Sequence, residues 1–180
     1  MIGETELKVY FLSSMNNIPS FLIWVLVTVF GIGCAFLILR HGWSKGLRTS
    51  AILLLAEWTF LILCTAVLFR AAEPVRQCHL IPFWSYTHYP ENSYLIEAAA
   101  INALNVIMFI PIGLLSGLGF REMTWKKVLL TGLAFSLLIE LLQFILKRGL
   151  CETDDLIHNI LGCMVGFAAF RLSSRLITNV

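Results

Sequence analysis

Leu137 to Gly166 reads LLIELLQFILKRGLCETDDLIHNILGCMVG, and its reading decides the fold. Glu140, Gln143, Arg148, Asp154, Asp155, His158 and Asn159 stand there between two strongly apolar runs. Only the short stretch Lys147 to Asp155 separates those runs, and helices joined by so short a link must be antiparallel neighbours. An ionisable side chain inside a membrane span costs about 2.5–3.5 kcal/mol on insertion scales, which makes such a residue a functional-site candidate by default.

The rest of the chain supports the membrane reading. Of its 180 residues, 58% are hydrophobic and 13% charged, against about 45–50% and about 25% in an ordinary soluble domain. No long polar block leaves room for a separate soluble domain, so residues 1–180 read as a single integral membrane domain. The formal net charge of +2 is small, and the basic residues form short clusters between apolar runs, which argues against nucleic acid as a partner. The mixed residues ahead of the first apolar run do not resemble a signal peptide, and no cleaved signal is expected.

Five runs satisfy the roughly 17–25 apolar residues that a spanning helix needs: Pro19–Leu39, Ala51–Phe69, Ala98–Phe120, Val128–Leu146 and Leu156–Leu176. The expected fold is all-α, a polytopic helical bundle of about five transmembrane helices. Arg40, Lys45 and Arg48, then Arg121, Lys126 and Lys127, then Arg171 and Arg175 fall on one side. The positive-inside rule makes that side cytoplasmic, with the N-terminus outside and the C-terminus in the cytoplasm. Glu57, near the cytoplasmic end of the second span, is expected to pair with Arg48 or Lys45.

Between the second and third spans lies the one long connection, Arg70 to Glu97, containing HLIPFWSYTHY. Its Trp84, Tyr86 and Tyr89 suit a membrane interface, and the segment is expected to lie on the outer leaflet and roof the helices, or to form an aromatic belt without chemistry. In the third span, Asn102, Asn105, Phe109, Ile112 or Gly113, and Ser116 recur at helical spacing on one face. Pro111 frees a backbone carbonyl there. In the fifth, Gly162 and Gly166 form GxxxG, which admits a close neighbour.

The orientation brings the polar groups to one depth. Asn102 and Asn105, Glu140 and Gln143, and Asp155, His158 and Asn159 all fall just below the outer ends of their spans, with Arg70, Arg76 and Arg148 at the rim. That pattern suggests a polar pocket opening to the outer leaflet, its basic rim suited to an anionic headgroup. Its carboxylates are candidates for acid, base or metal-ligand work. The competing reading is an ion-pair and amide network that only holds helices together. No spacing matches a metal signature, and no Walker loop, GxSxG or HExxH is present; no cofactor is expected. Of the cysteines, Cys78 and Cys151 both fall on the outer side, where they are either free thiols or a disulfide clamping the long connection to the hairpin.

Arg76 followed by LIPF, then Asn105, Phe109, Pro111 and Gly113, then Glu140 and Gln143, then Arg148, Asp155, Asn159, Gly162 and Gly166 resembles the ordered pattern of the VanZ-like family over about residues 70–170. ETDD before LIHN departs from the common pattern. Asp155 is assigned the acidic position because it shares a helix face with Asn159. The resemblance implies a bacterial cytoplasmic-membrane protein with an envelope role, associated with resistance to teicoplanin and to lipoglycopeptide antibiotics. It favours the pocket, occupied by a membrane lipid or lipid-linked envelope precursor. In an enzyme, Glu140 or Asp155 would exchange protons, Arg76 and Arg148 would hold an anionic group, and Asn105, Gln143 and Asn159 would orient substrate beside His158. A non-enzymatic lipid binder would use the same residues, and a small transporter is the weaker alternative.

Overall fold

The computed structural model describes Gly33 and residues 43–87 and 92–178. Apart from Gly33, the first expected span, Pro19–Leu39, lies outside the described residues. Helix α1 (Trp43–Leu63) continues into one π-helical turn (Cys64–Leu68). Strand β1 (Gln77–His79) and the short α2 (Trp84–Thr87) follow, then the long α3 (Asn92–Gly119) and α4 (Trp125–Leu146). Strand β2 (Leu150–Glu152) leads directly into α5 (Thr153–Thr178).

Four of these helical stretches are long and apolar enough to cross a membrane: Lys45–Leu68, Ala98–Gly119, Trp125–Leu146 and Thr153–Arg175. They coincide with the second to fifth expected spans. Their outward faces carry Phe60, Ile107, Leu141 and Leu172 exposed, as lipid-facing surfaces should. Inside, Ile62, Val67, Phe109, Ile112, Val128, Ile139, Cys163 and Phe167 make one core. Glu57 pairs with neither Lys45 nor Arg48. It lies nine positions along the helix from Arg48, a rise of about 13 Å, which puts the guanidinium out of reach.

The most extensive helix contact joins α3 and α5, which begin at the same end of the bundle and run parallel. Glycines set their separation. A Cβ at Gly162 would overlap the carbonyl of Val106, one at Gly166 that of Ile110, and one at Gly113 that of Cys163. The GxxxG face therefore meets the backbone of α3, and α3 answers with its own glycine. Pro111 lies inside α3 without ending it; nearby, the Trp58 indole N–H donates to the Met108 carbonyl at 2.8 Å, tying α1 to the turn that the proline loosens.

Helices α4 and α5 form the expected hairpin. Lys147 closes α4 in the left-handed region at φ 55°, and its N–H donates to the Gln143 carbonyl. Gly149, at φ 117°, lies where the Arg70 guanidinium would collide with any Cβ. The chain after α1 is fastened to this turn by the Glu73 N–H on the Lys147 carbonyl at 2.6 Å. It then pairs β1 with β2 in parallel register, Gln77 with Leu150, Cys78 with Cys151 and His79 with Glu152. The fold is thus mostly helical with a small two-stranded sheet added to the expected all-α bundle. Strands of three residues are too short for alternation to reveal them.

Candidate functional site

The sheet, α2 and one end of the four long helices enclose a dense polar cluster. On α4, Ser136, Glu140 and Gln143 are all buried on one face, as their spacing of four and three requires. Each reaches a different element. Ser136 Oγ accepts from Asn159 Nδ2 on α5 at 2.8 Å. Glu140 Oε2 accepts the backbone N–H of Glu152 in β2 at 2.8 Å. Gln143 Nε2 donates to the Ala66 carbonyl in the π-helical turn at 3.1 Å.

The two adjacent aspartates at the start of α5 do separate work. Asp154, 2% exposed, turns toward the long connection and accepts from the Phe83 N–H, from the Ser85 N–H at 2.9 Å and from the Ser85 hydroxyl. It therefore caps the first turn of α2, with Phe83 held at φ 62°. Asn102 donates to Ser85 Oγ at 3.0 Å and extends the network to α3. Asp155 instead accepts from Asn105 Nδ2 at 2.7 Å. It also lies within electrostatic reach of Glu140, and the Arg70 charge reaches both carboxylates.

His158 joins the same wall. Its Nδ1 lies 2.6 Å from the Asp154 carbonyl; because a carbonyl can only accept, Nδ1 carries the hydrogen. In the neutral ring Nε2 then accepts, and Tyr86, 3.1 Å away, supplies its hydroxyl hydrogen. His79 Nδ1 approaches Glu152 Oε1 at 3.0 Å and stacks its ring on Trp84 with centroids 4.9 Å apart. The aromatic connection is thereby bound to the helix ends through His79, Ser85 and Tyr86.

Two of the three arginines expected at the rim contact helix ends. Arg76 Nε donates to the Phe144 carbonyl at 3.1 Å with its guanidinium over the Phe144 ring, and Arg148 donates to the Leu68 carbonyl. Both thus serve carbonyls at helix C-termini, where cations are favoured. Arg70 is the cation closest in electrostatic terms to the carboxylates. Sequence reasoning placed it only at the rim, and missed Ser85, Ser136 and Glu152 altogether. Ser136 had a signal, since it lies four residues before Glu140 on the same face.

Three oxygens in this cluster are buried without a hydrogen-bond partner among the described residues: Glu140 Oε1, Gln143 Oε1 and Asn159 Oδ1. For Gln143 the assignment of oxygen and nitrogen is forced, because only the nitrogen can donate to the Ala66 carbonyl. Each unsatisfied acceptor costs about 1–3 kcal/mol, and all three require a donor. Chemically the cluster offers two close carboxylates, each held by one N–H group, in an acceptor-rich setting with Arg70 as counter-charge. Among the described residues no group of three or more His, Cys, Asp or Glu side chains has an arrangement able to hold a metal ion. Outside the spans, the Cys151 thiol is pushed up to about 12, by burial first and then by its hydrogen bond to Cys78. The two described clefts lie at the opposite end of the bundle, one beside Arg48, Arg121 and Arg171 and the other beside Arg121 and Lys127.

One relative, Protein VanZ of Enterococcus faecium, is 37% identical over 71 residues, covering 39% of this chain and 44% of the relative. The match spans less than half of that relative's length. No solved structure matches the chain. The VanZ/LLP1 family model matches residues 51–174, which includes most of each of the four long helices and every residue of the polar cluster, and the chain belongs to the VanZ/LLP1 family.

Proposed function

We propose that this VanZ-family membrane protein contributes to resistance against teicoplanin-type glycopeptides and lipoglycopeptides by binding or modifying an anionic lipid or lipid-linked wall precursor at the polar cluster. The observation that carries this reading is the set of three buried acceptors, on Glu140, Gln143 and Asn159, that have no hydrogen-bond partner among the described residues, within a cluster that also holds Asp155. A wall precursor offers hydroxyl and amide donors to such oxygens. Its anionic linkage suits Arg70 and the exposed guanidinium of Arg76, with Arg148 beside them. The site belongs to the outer leaflet in this reading, with the C-terminus cytoplasmic as the basic clusters suggest.

In the enzymatic form of the proposal, Glu140 and Asp155 exchange protons with the headgroup while Asn105, Gln143, His158 and Asn159 position it. One set of contacts favours a second, non-catalytic reading. Asp154, Arg76 and Arg148 all bind protein groups, as members of a scaffold that presents a lipid-binding surface would. Comparing envelope lipids and wall precursors in cells with and without the chain, alongside Glu140→Gln, separates the two. A precursor that changes with the chain but not with Glu140→Gln supports chemistry. Protection retained by both Glu140→Gln and Asp155→Asn at normal expression eliminates it.

A further inference from the structure

We propose that Cys78 and Cys151 are a redox pair that closes into a disulfide, a covalent latch between the long connection and the α4–α5 turn. They are direct register partners in the parallel β1–β2 pair. Neighbouring strands lie about 4.8 Å apart, inside the 4.4–6.8 Å between Cα atoms that a disulfide spans. Successive side chains in a strand alternate in direction, so the next pair, His79 with Glu152, meets on the other face, and the two sulfurs meet on this one. Both thiols are free, and as register partners they are immediate neighbours. Cys64 and Cys163, by contrast, are buried within the helices.

Their exposure sets an order of reaction. Cys78 is exposed and Cys151 is half-buried, so an incoming disulfide reaches Cys78 first. The Cys78 sulfur gives its proton to water and attacks one sulfur of a small-molecule disulfide, releasing one thiol and leaving a mixed disulfide. The Cys151 sulfur then loses its proton and attacks the Cys78 sulfur, and the second thiol leaves. The balance is two cysteine thiols plus one external disulfide, giving one internal disulfide and two external thiols. The latch fixes β2, whose Glu152 N–H holds Glu140, and β1, whose His79 holds Glu152. Redox state thereby controls how firmly the connection is seated over the polar cluster. This inference is independent of what that cluster binds.

The test uses the purified full chain in lipid nanodiscs, exposed to oxidised or reduced glutathione, with free thiols then blocked by a maleimide. Oxidised glutathione is expected to give an intact mass lower by two hydrogens, two fewer maleimide additions and, after non-reducing digestion, a peptide joining Cys78 to Cys151. The oxidised chain should also melt at a higher temperature than the reduced one. Cys78→Ser should remove the cross-link, and Cys151→Ser should stop at a stable glutathione adduct on Cys78. A wild-type chain that stays dithiol, that stops at the adduct, or that cross-links through Cys34, Cys64 or Cys163 overturns the proposal. The wild-type comparison decides it even if a serine variant does not fold.

Discussion

The Glu140 carboxylate accepts the Glu152 N–H at 2.8 Å across the α4–α5 turn, so a residue near the end of one span holds the strand that opens the next. The same carboxylate is structural through one oxygen and has no partner among the described residues for the other, which allows its two roles to be separated. Glu140→Gln keeps an acceptor for the Glu152 N–H and should alter stability by less than about 1 kcal/mol. Glu140→Ala strands that N–H and should cost about 1–3 kcal/mol. Melting of the purified variants checks the stabilities. On the enzymatic form of the proposed function, Glu140→Gln expressed at wild-type level in a susceptible bacterium should give no more teicoplanin protection than the empty vector.

Asp154 and Asp155 should respond in opposite ways. Asp154 is buried and receives two backbone N–H groups and a hydroxyl from the α2 region. Asp154→Ala leaves those donors without a partner and should destabilise the chain by about 2–3 kcal/mol, with protease cleavage appearing first near Phe83 to Thr87. Asp155→Asn retains an oxygen for Asn105 and should cost less than about 1 kcal/mol, and on the enzymatic form of the proposed function it should abolish protection. Equal stability losses for the two variants would contradict this division of labour.

Hydropathy and helical spacing made the four long helices, their hairpin and the shared faces of Asn102 with Asn105 and of Glu140 with Gln143 legible in the sequence. Each rests on a repeated signal along many residues. The partners of these residues were harder to read, because contacts between distant segments leave no local period. Nothing in ETDD states that its first aspartate caps a helix formed nearly seventy residues earlier. Likewise, Arg76 and Arg148 advertised charge, whereas their use depends on which helix end lies beside them. The three-residue strands escaped for a related reason, since their register follows from the Lys147–Gly149 turn and from the fastening at Glu73.

The α3–α5 interface should tolerate no added side chain where glycine meets the facing backbone. A Cβ at Gly166 meets the Ile110 carbonyl and the Leu114 backbone nitrogen, and backbone inside a helix cannot swing aside. Gly166→Ala should therefore destabilise by about 1–3 kcal/mol or more despite the higher helix propensity of alanine. At Gly132 the nearest atom is the Cys163 sulfur, 3.0 Å from the added carbon, so Gly132→Ala should cost less. Cys163→Ala in the same chain should recover part of that cost. Thermal melting of the three variants in one detergent checks the ranking, and a Gly166→Ala chain as stable as wild type would refute the close parallel contact.

The environment of Cys151 predicts a distinctive pH dependence. Burial, the hydrogen bond to Cys78 and the nearby Glu140 and Asp155 carboxylates push its thiol up to about 12. An alkylating reagent consumes thiolate, and at pH 8 a thiol with that value holds on the order of a thousandfold less thiolate than an ordinary cysteine. In a reduced Cys78→Ser chain the neighbouring thiol is gone, yet burial remains, so maleimide labelling of Cys151 should stay slow at neutral pH and accelerate steadily from pH 8 to 10. The sign follows from the acid form being favoured: lowering the pH protects the thiol, and raising it exposes reactivity. Removing the neighbouring charge with Glu140→Gln should accelerate labelling at fixed pH. Rapid labelling at pH 7, unchanged by pH, would place Cys151 in water and away from the carboxylates.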